Sequence, residues 1–177
     1  MTDIETERLI LRVVPMAALA STAAGMVDIT RNLIGEKLPD QWFDDGWVYK
    51  TRYDQWIEDA TFAPWSVRCI ALKDDGQVVG NMNCHHKPMP FSLHGKTRLG
   101  VEMGYTIFTP WQKQGIAYEA VNGFSQWASS QGLESIILSI QPSNGASLAL
   151  ARKLGAMQIG SQVDDLHGPE DIYHFSC

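Results

Sequence analysis

The sequence predicts an α+β fold: a mixed, mostly antiparallel central sheet of about six or seven strands with helices on both faces. Three observations carry this expectation. The elements run in the order strand, helices, three strands, helix, strand, helix, strand, strand, so helices interrupt the strands without alternating strictly with them. The turn signal Asp74-Asp75-Gly76 separates two strand-like runs and marks an antiparallel hairpin. The stretch from Arg98 to Ile140 reads as strand, helix and strand, which sets its two strands side by side in parallel.

Taken in order, Arg8-Leu9-Ile10-Leu11-Arg12-Val13 reads as the first strand. Pro15 suits the first turn of a helix, and Ala17 to Met26 is apolar at helical spacing until about Gly25. The stretch from Asp28 to Trp65 is less regular. It carries Trp42, Trp47, Trp56 and Trp65 among acidic residues, with a helix expected around Val48 to Asp59 and a stop before Pro64. The tryptophans from Trp42 to Trp65 suit either an aromatic core under two helices or a lid over a substrate. Val67 to Lys73 and Gln77 to Cys84 form the hairpin, and a polar, proline-bearing connection spans His85 to Lys96.

Arg98 to Phe108 is the next strand, ended by Thr109-Pro110. A helix follows with Ala117, Val121, Phe124 and Ala128 among its apolar positions, and Gly132 closes it. Ser135 to Ile140 is a β-branched-rich strand. Asn144 caps a short helix through Lys153, and Gly155 stands where a helix C-terminus favours a left-handed residue. Met157 to Val163 and Ile172 to Phe175 complete the strands.

With 177 residues, neither internal repeats nor a low-complexity linker, the chain is expected to form a single domain over residues 1–177. A content of 45% hydrophobic and 19% charged residues is that of a packed globule. The net charge of -6 and pI near 5.3 argue against a nucleic-acid partner and favour a cationic one. Met1-Thr2-Asp3-Ile4-Glu5 is acidic where a signal peptide would be basic, and no apolar run approaches the roughly 20 residues of a membrane span. A cytoplasmic protein without a membrane partner is the expectation. Cys69, Cys84 and Cys177 lack paired spacing and are expected as free thiols. Cys84-His85-His86 with His94 invites a metal reading, but no second cluster completes four ligands, so no metal is expected and loop histidines near a substrate mouth fit better.

The chemistry concentrates in Val101 to Ala117. A strand delivers the chain to a turn with small residues at Gly115 and Ala117, and a helix begins at once. Successive backbone N–H groups, from Gln112, Lys113, Gln114, Gly115, Ile116 and Ala117, then face outward at the positive end of a helix dipole, a geometry that holds a pyrophosphate. Lys113 adds charge at the rim. A nucleotide-phosphate loop of the Walker type is disfavoured, since its Lys-Ser/Thr ending is absent.

Gln112-x-x-Gly115-x-Ala117 between a strand and an amphipathic helix resembles the acetyl-CoA signature of the GNAT superfamily of N-acetyltransferases. Asn144-Gly145-Ala146-Ser147 followed by Ala151 to Ala156 resembles that family's closing segment. Thr6 to Arg12 and Val101 to Tyr105 resemble the branch that includes bacterial ribosomal-protein N-terminal acetyltransferases. The resemblance implies acetyl transfer from acetyl-CoA, as co-substrate, to a primary amine by direct attack in a ternary complex. It also implies that the strand containing Gly104 bulges and splays from the strand ending at Gln141, opening a wedge for the pantetheine arm. Glu102 is then the candidate base, and backbone N–H groups near Tyr105 to Ile107 the oxyanion donors. Ser147 is placed to bond the CoA sulfur, and Asn144 to hold the pantetheine, although capping explains Asn144 as well. Where some branches place a tyrosine acid this chain has Ala151, which leaves Tyr105 and Tyr118 as substitutes. A non-catalytic CoA-binding or interaction module is the rival reading, and a homodimer stays open.

Overall fold

The computed structural model describes residues 2–35, 37–93, 95–164 and 168–177. Among them, nine strands form one sheet: β1 (Ile4–Glu5), β2 (Leu9–Val13), β3 (Arg68–Leu72), β4 (Val78–Cys84), β5 (Met89–Leu93), β6 (Lys96–Ile107), β7 (Ser135–Ile140), β8 (Met157–Asp164) and β9 (Gly168–Ser176). Five α-helices accompany them: α1 (Met16–Ala23), α2 (Val27–Ile34), α3 (Gly46–Glu58), α4 (Ile116–Ser130) and α5 (Gly145–Lys153). The sheet order is β1-β2-β3-β4-β6-β7-β9-β8, with β5 paired to β6 beyond the end of β4. Every pairing is antiparallel except β6 with β7, the parallel pair expected from the strand-helix-strand unit.

The two strands beyond the expected seven are β1 and β5, and both lacked a signal for physical reasons. β1 is two residues long. β5 is largely exposed and carries Pro90, so it shows no alternation, and its partner β6 supplies the register, Leu93 opposite Lys96 and Met89 opposite Gly100. The helix α2 sits in the stretch read as irregular, because it is eight residues long, buries only Thr30 and packs Ile34 against the core while Ile29 and Leu33 stay exposed.

Each face of the sheet has its own core. On one, Leu9, Leu11, Ile70, Met82, Val101 and Ile136 pack under α4 and α5. On the other, Val14, Cys69, Ala71, Val78 and Phe108 pack under α1 and α3. β4 serves both, because the pairing of Ile70 with Gly80 and Ala71 with Val78 leaves Val79 as the extra residue of a bulge, which resets which side faces which core. Trp42 and Trp56 belong to the second core, Trp42 tilted against Tyr49 at 4.8 Å with its Nε1 donating to Thr22. Trp65 packs on Phe124 and Trp127. Of the four tryptophans between positions 42 and 65, Trp47 alone is exposed.

α5 begins at Asn144, whose Oδ1 accepts the N–H of Ser147, and ends in paired bonds from Ala156 N–H to Ala151 O and from Gly155 N–H to Arg152 O. That pattern needs the left-handed Gly155, at φ 71. Ala151 is fully buried in the core.

Phe124 lies 2% exposed between Trp65 and Trp127 on the inner face of α4. Phe124→Ala should destabilise the fold by about 3–5 kcal/mol, read as a lowered denaturant midpoint at unchanged slope.

Candidate active site

β6 and β7 pair through Gly100–Ser135, Val101–Ile136 and Glu102–Ile137 and then part. β6 stays joined to β4 through Ile107, in a register that runs without interruption across Gly104, so the strand departs from β7 without the expected bulge. The ladder phase follows from two bonds, His85 N–H to Glu102 O and Phe108 N–H to Val79 O. Since antiparallel ladders alternate, the backbone groups of Met103, Tyr105 and Ile107 turn away from β4 and into the gap. The wedge thus presents N–H groups at the Tyr105 and Ile107 positions named from sequence.

Two clefts open from this fork. The first, of about 590 Å³, is lined by Ile107, Gln112, Lys113, Gly115, Ala117 and Lys153, among others. Gly115 takes the left-handed conformation at φ 79 immediately before α4, and Lys113 is left-handed too, at φ 60. No side chain caps α4, so its leading N–H groups stay available to an anion. The turn is fastened from behind: Gln112 Nε2 donates to Ile107 O at 2.9 Å and Gln114 Nε2 to Pro110 O at 3.0 Å. Gln114 therefore braces the turn without lining the cleft. Lys153 stands 4.1 Å over the Tyr118 ring and adds a second cation that the sequence did not single out. An uncapped helix start, small residues at its lip and two lysines fit a CoA pyrophosphate.

The second cleft, of about 610 Å³, runs from the same fork between α3 and the β8–β9 end, with Trp47, Arg52, His85, Glu102, Ser139 and Glu170 in its walls. At its floor Glu102 Oε1 accepts from Ser139 Oγ at 2.6 Å and lies 3.2 Å from His85 Nδ1. Burial raises the pKa of this carboxyl, but the hydrogen bonds from His85 and Ser139 outweigh it, and the net shift is downward. Glu102 is thus a held anion, paired with a histidine. His85 Nε2 sits over Gly104, where any Cβ would meet it at 3.3 Å. The loop between β4 and β5 brings His85 opposite the residue at which β6 leaves β7.

The clefts meet at Tyr105, Thr106, Asn144 and Ser147, which line both. Tyr105 Oη donates to Ser147 Oγ at 3.1 Å, and burial raises the phenol pKa while that bond lowers it, leaving a net rise that keeps the proton on. Asn144 is the helix cap, with its side chain exposed at the junction. Cys84 is buried, its thiol pushed by burial up to about 12, and His86 Nδ1 bonds Lys87 O; among the described residues no three His, Cys, Asp or Glu side chains are grouped to hold a metal ion. His94 lies outside the described residues. Sequence reasoning missed Arg52, a single polar residue within one helix, which carried no signal.

A family model described as an acetyltransferase (GNAT) domain matches residues 8–157. Among solved structures, a ribosomal-protein-S5-alanine acetyltransferase from Vibrio fischeri superposes with a TM-score of 0.66 at 19% identity, covering 99% of this chain and 97% of that one. An acetyltransferase from Agrobacterium tumefaciens gives 0.64 at 20% identity, with 99% and 94% covered. Mycobacterium smegmatis RimJ in complex with CoA-disulfide gives 0.60 at 15% identity, with 100% and 90% covered.

Gly115→Val places a β-branched residue at φ 79, a strain of about 1–2 kcal/mol, and should raise the CoA dissociation constant about tenfold by calorimetry. Glu102 has a lowered folded pKa, so its anion contributes stability above the ordinary glutamate range near about 4.3, which is lost as pH falls through the folded value. The melting-temperature difference between the wild type and Glu102→Gln should hold steady at neutral pH and close in acid below that range.

Proposed function

The chain belongs to the GNAT family of acetyltransferases, whose acyl donor is acetyl-CoA, and we propose that it acetylates a primary amine, of a protein N-terminus or a small molecule, by direct attack in a ternary complex. The observation that carries this reading is the meeting of two clefts at Tyr105 and Ser147, one suited to CoA and one ending on the His85–Glu102 pair. One cleft would serve a binding module; two converging on titratable groups serve a transfer.

Acetyl-CoA supplies an acyl carbon activated as a thioester. The amine, mostly protonated at neutral pH, must lose a proton to attack. Glu102 holds the Nδ1–H of His85, which leaves Nε2 as the lone-pair nitrogen over Gly104 and the group that takes that proton. The division of labour follows from charge: a carboxylate of lowered pKa is a poor base but a good orienter. The N–H groups of Tyr105 and Ile107 face the gap as donors to the carbonyl oxygen. As the nitrogen–carbon bond forms and the carbon–sulfur bond breaks, Tyr105 passes its proton through Ser147 to the departing thiolate. This gives Tyr105 the acid role that Ala151 cannot fill.

Acetyl-CoA and CoA, but not ATP, should raise the melting temperature, and an amine screen by free-thiol release should find turnover. His85→Ala should lower kcat/KM about 10²–10⁴-fold with CoA affinity unchanged. Binding without turnover on any amine would leave the CoA-binding module in front.

A further inference from the structure

Arg52 makes a different demand on the second cleft. It lies in the middle of α3, 6% exposed, and is the one arginine or lysine among the described residues lining that cleft. Its Nε donates to Asn83 Oδ1 at 2.8 Å, and its Nη1 to Gln55 Oε1 at 2.9 Å and to His85 O at 3.3 Å. All three acceptors are neutral. Among the described residues no carboxylate forms an ion pair with this guanidinium, and Nη2 makes no hydrogen bond. Glu102 acts on it through space, but its Oε1 is already engaged by Ser139 and His85.

A buried cation with neutral partners is costly, and buried charges are ordinarily paired. Fastening α3 to the end of β4 would not require one, since a neutral amide could serve the same acceptors. The arginine fork also matches a carboxylate in two-point geometry. Its position suits a substrate contact: Asn83, which holds Nε, is opposite Gly104, and His85, which holds Nη1, is the proposed base. Elsewhere the cleft is acidic, with Asp45, Asp164 and Glu170 in its walls, which suits an ammonium.

We infer that Arg52 binds a carboxylate on the acceptor, so that the amine acetylated at this site belongs to an amino acid or to a short peptide with an acidic side chain. The inference rests on the transferase reading of the same cleft. Arg52 would bind the carboxylate while His85 takes the proton from the amine, and the separation of the two fixes the preferred length of the acceptor.

Two series test this in the full chain with acetyl-CoA: glycine, β-alanine and 4-aminobutyrate against their amides, and alanyl-aspartate against alanyl-asparagine. The acid should exceed its amide at least tenfold in kcat/KM within one series, and that series identifies the source of the carboxylate. Arg52→Gln should abolish the preference, bringing the acid-to-amide ratio of kcat/KM to about one through a raised KM for the acid, with Arg52→Lys intermediate. Calorimetry of the same compounds on the CoA-bound protein separates the two readings. Arg52-dependent binding of the acid without turnover would sink the transferase assignment and keep this one. Equal use and equal binding of acid and amide by the wild type would overturn the assignment of Arg52, whatever the variants do.

Discussion

The site depends on a parallel pairing that lasts three residues. β6 and β7 are joined from Gly100 to Glu102, and each is then held by a different neighbour, β6 by β4 and β7 by β9. The gap is therefore a built feature: neither strand can close it without giving up an antiparallel ladder on its far side. Backbone groups of Met103, Tyr105 and Ile107 are left facing an opening, and buried backbone groups require partners. A pantetheine arm, itself a chain of amides, would meet that requirement as a missing strand would.

Glu102 stands where the fork divides and touches both arms, Ser139 on β7 and His85 at the break between β4 and β5. β4 and β5 lie along the same edge of β6, so His85 leaves the ladder at the level where β7 is lost on the other side. A carboxylate there orders two otherwise independent segments around one charge, and the bonds it accepts overcome the cost of its burial. The second cleft is in this way coupled to the fork from which both clefts open.

The elements with strong local signals were legible in the sequence: β7, α5 and the β3–β4 hairpin stand where β-branched content, the Asn144 cap and Asp74-Asp75-Gly76 put them. The turn at Gly115 and the candidate Glu102 were legible because close backbone approach and charge on a wedge-forming strand restrict residue type. β1, β5 and α2 were not, since a two-residue strand, an exposed proline-bearing edge and a short helix with one fully buried residue take their structure from partners distant in sequence. His85 was read as a histidine near the mouth, and its place beside Glu102 needed the register of β4 on β6. Arg52 was invisible for the same reason: what distinguishes it is a countercharge that its neighbours lack.

The turn at Gly115 shows how far the fold supports a motif from outside it. Glu119 lies in the first turn of α4, where its charge would compete with a bound anion for the positive end of the dipole. Thr6 Oγ1 and the Arg8 N–H both donate to its Oε1, and Arg8 Nε donates to its Oε2. Arg8 Nη1 reaches on to Gln114 O, on the turn itself. These residues lead into β2, whose Leu9 and Leu11 pack in the same core as Phe124 of α4. The N-terminal segment therefore neutralises the one acid in that first turn and braces the loop that carries Gly115, which ties β2 to the candidate phosphate turn.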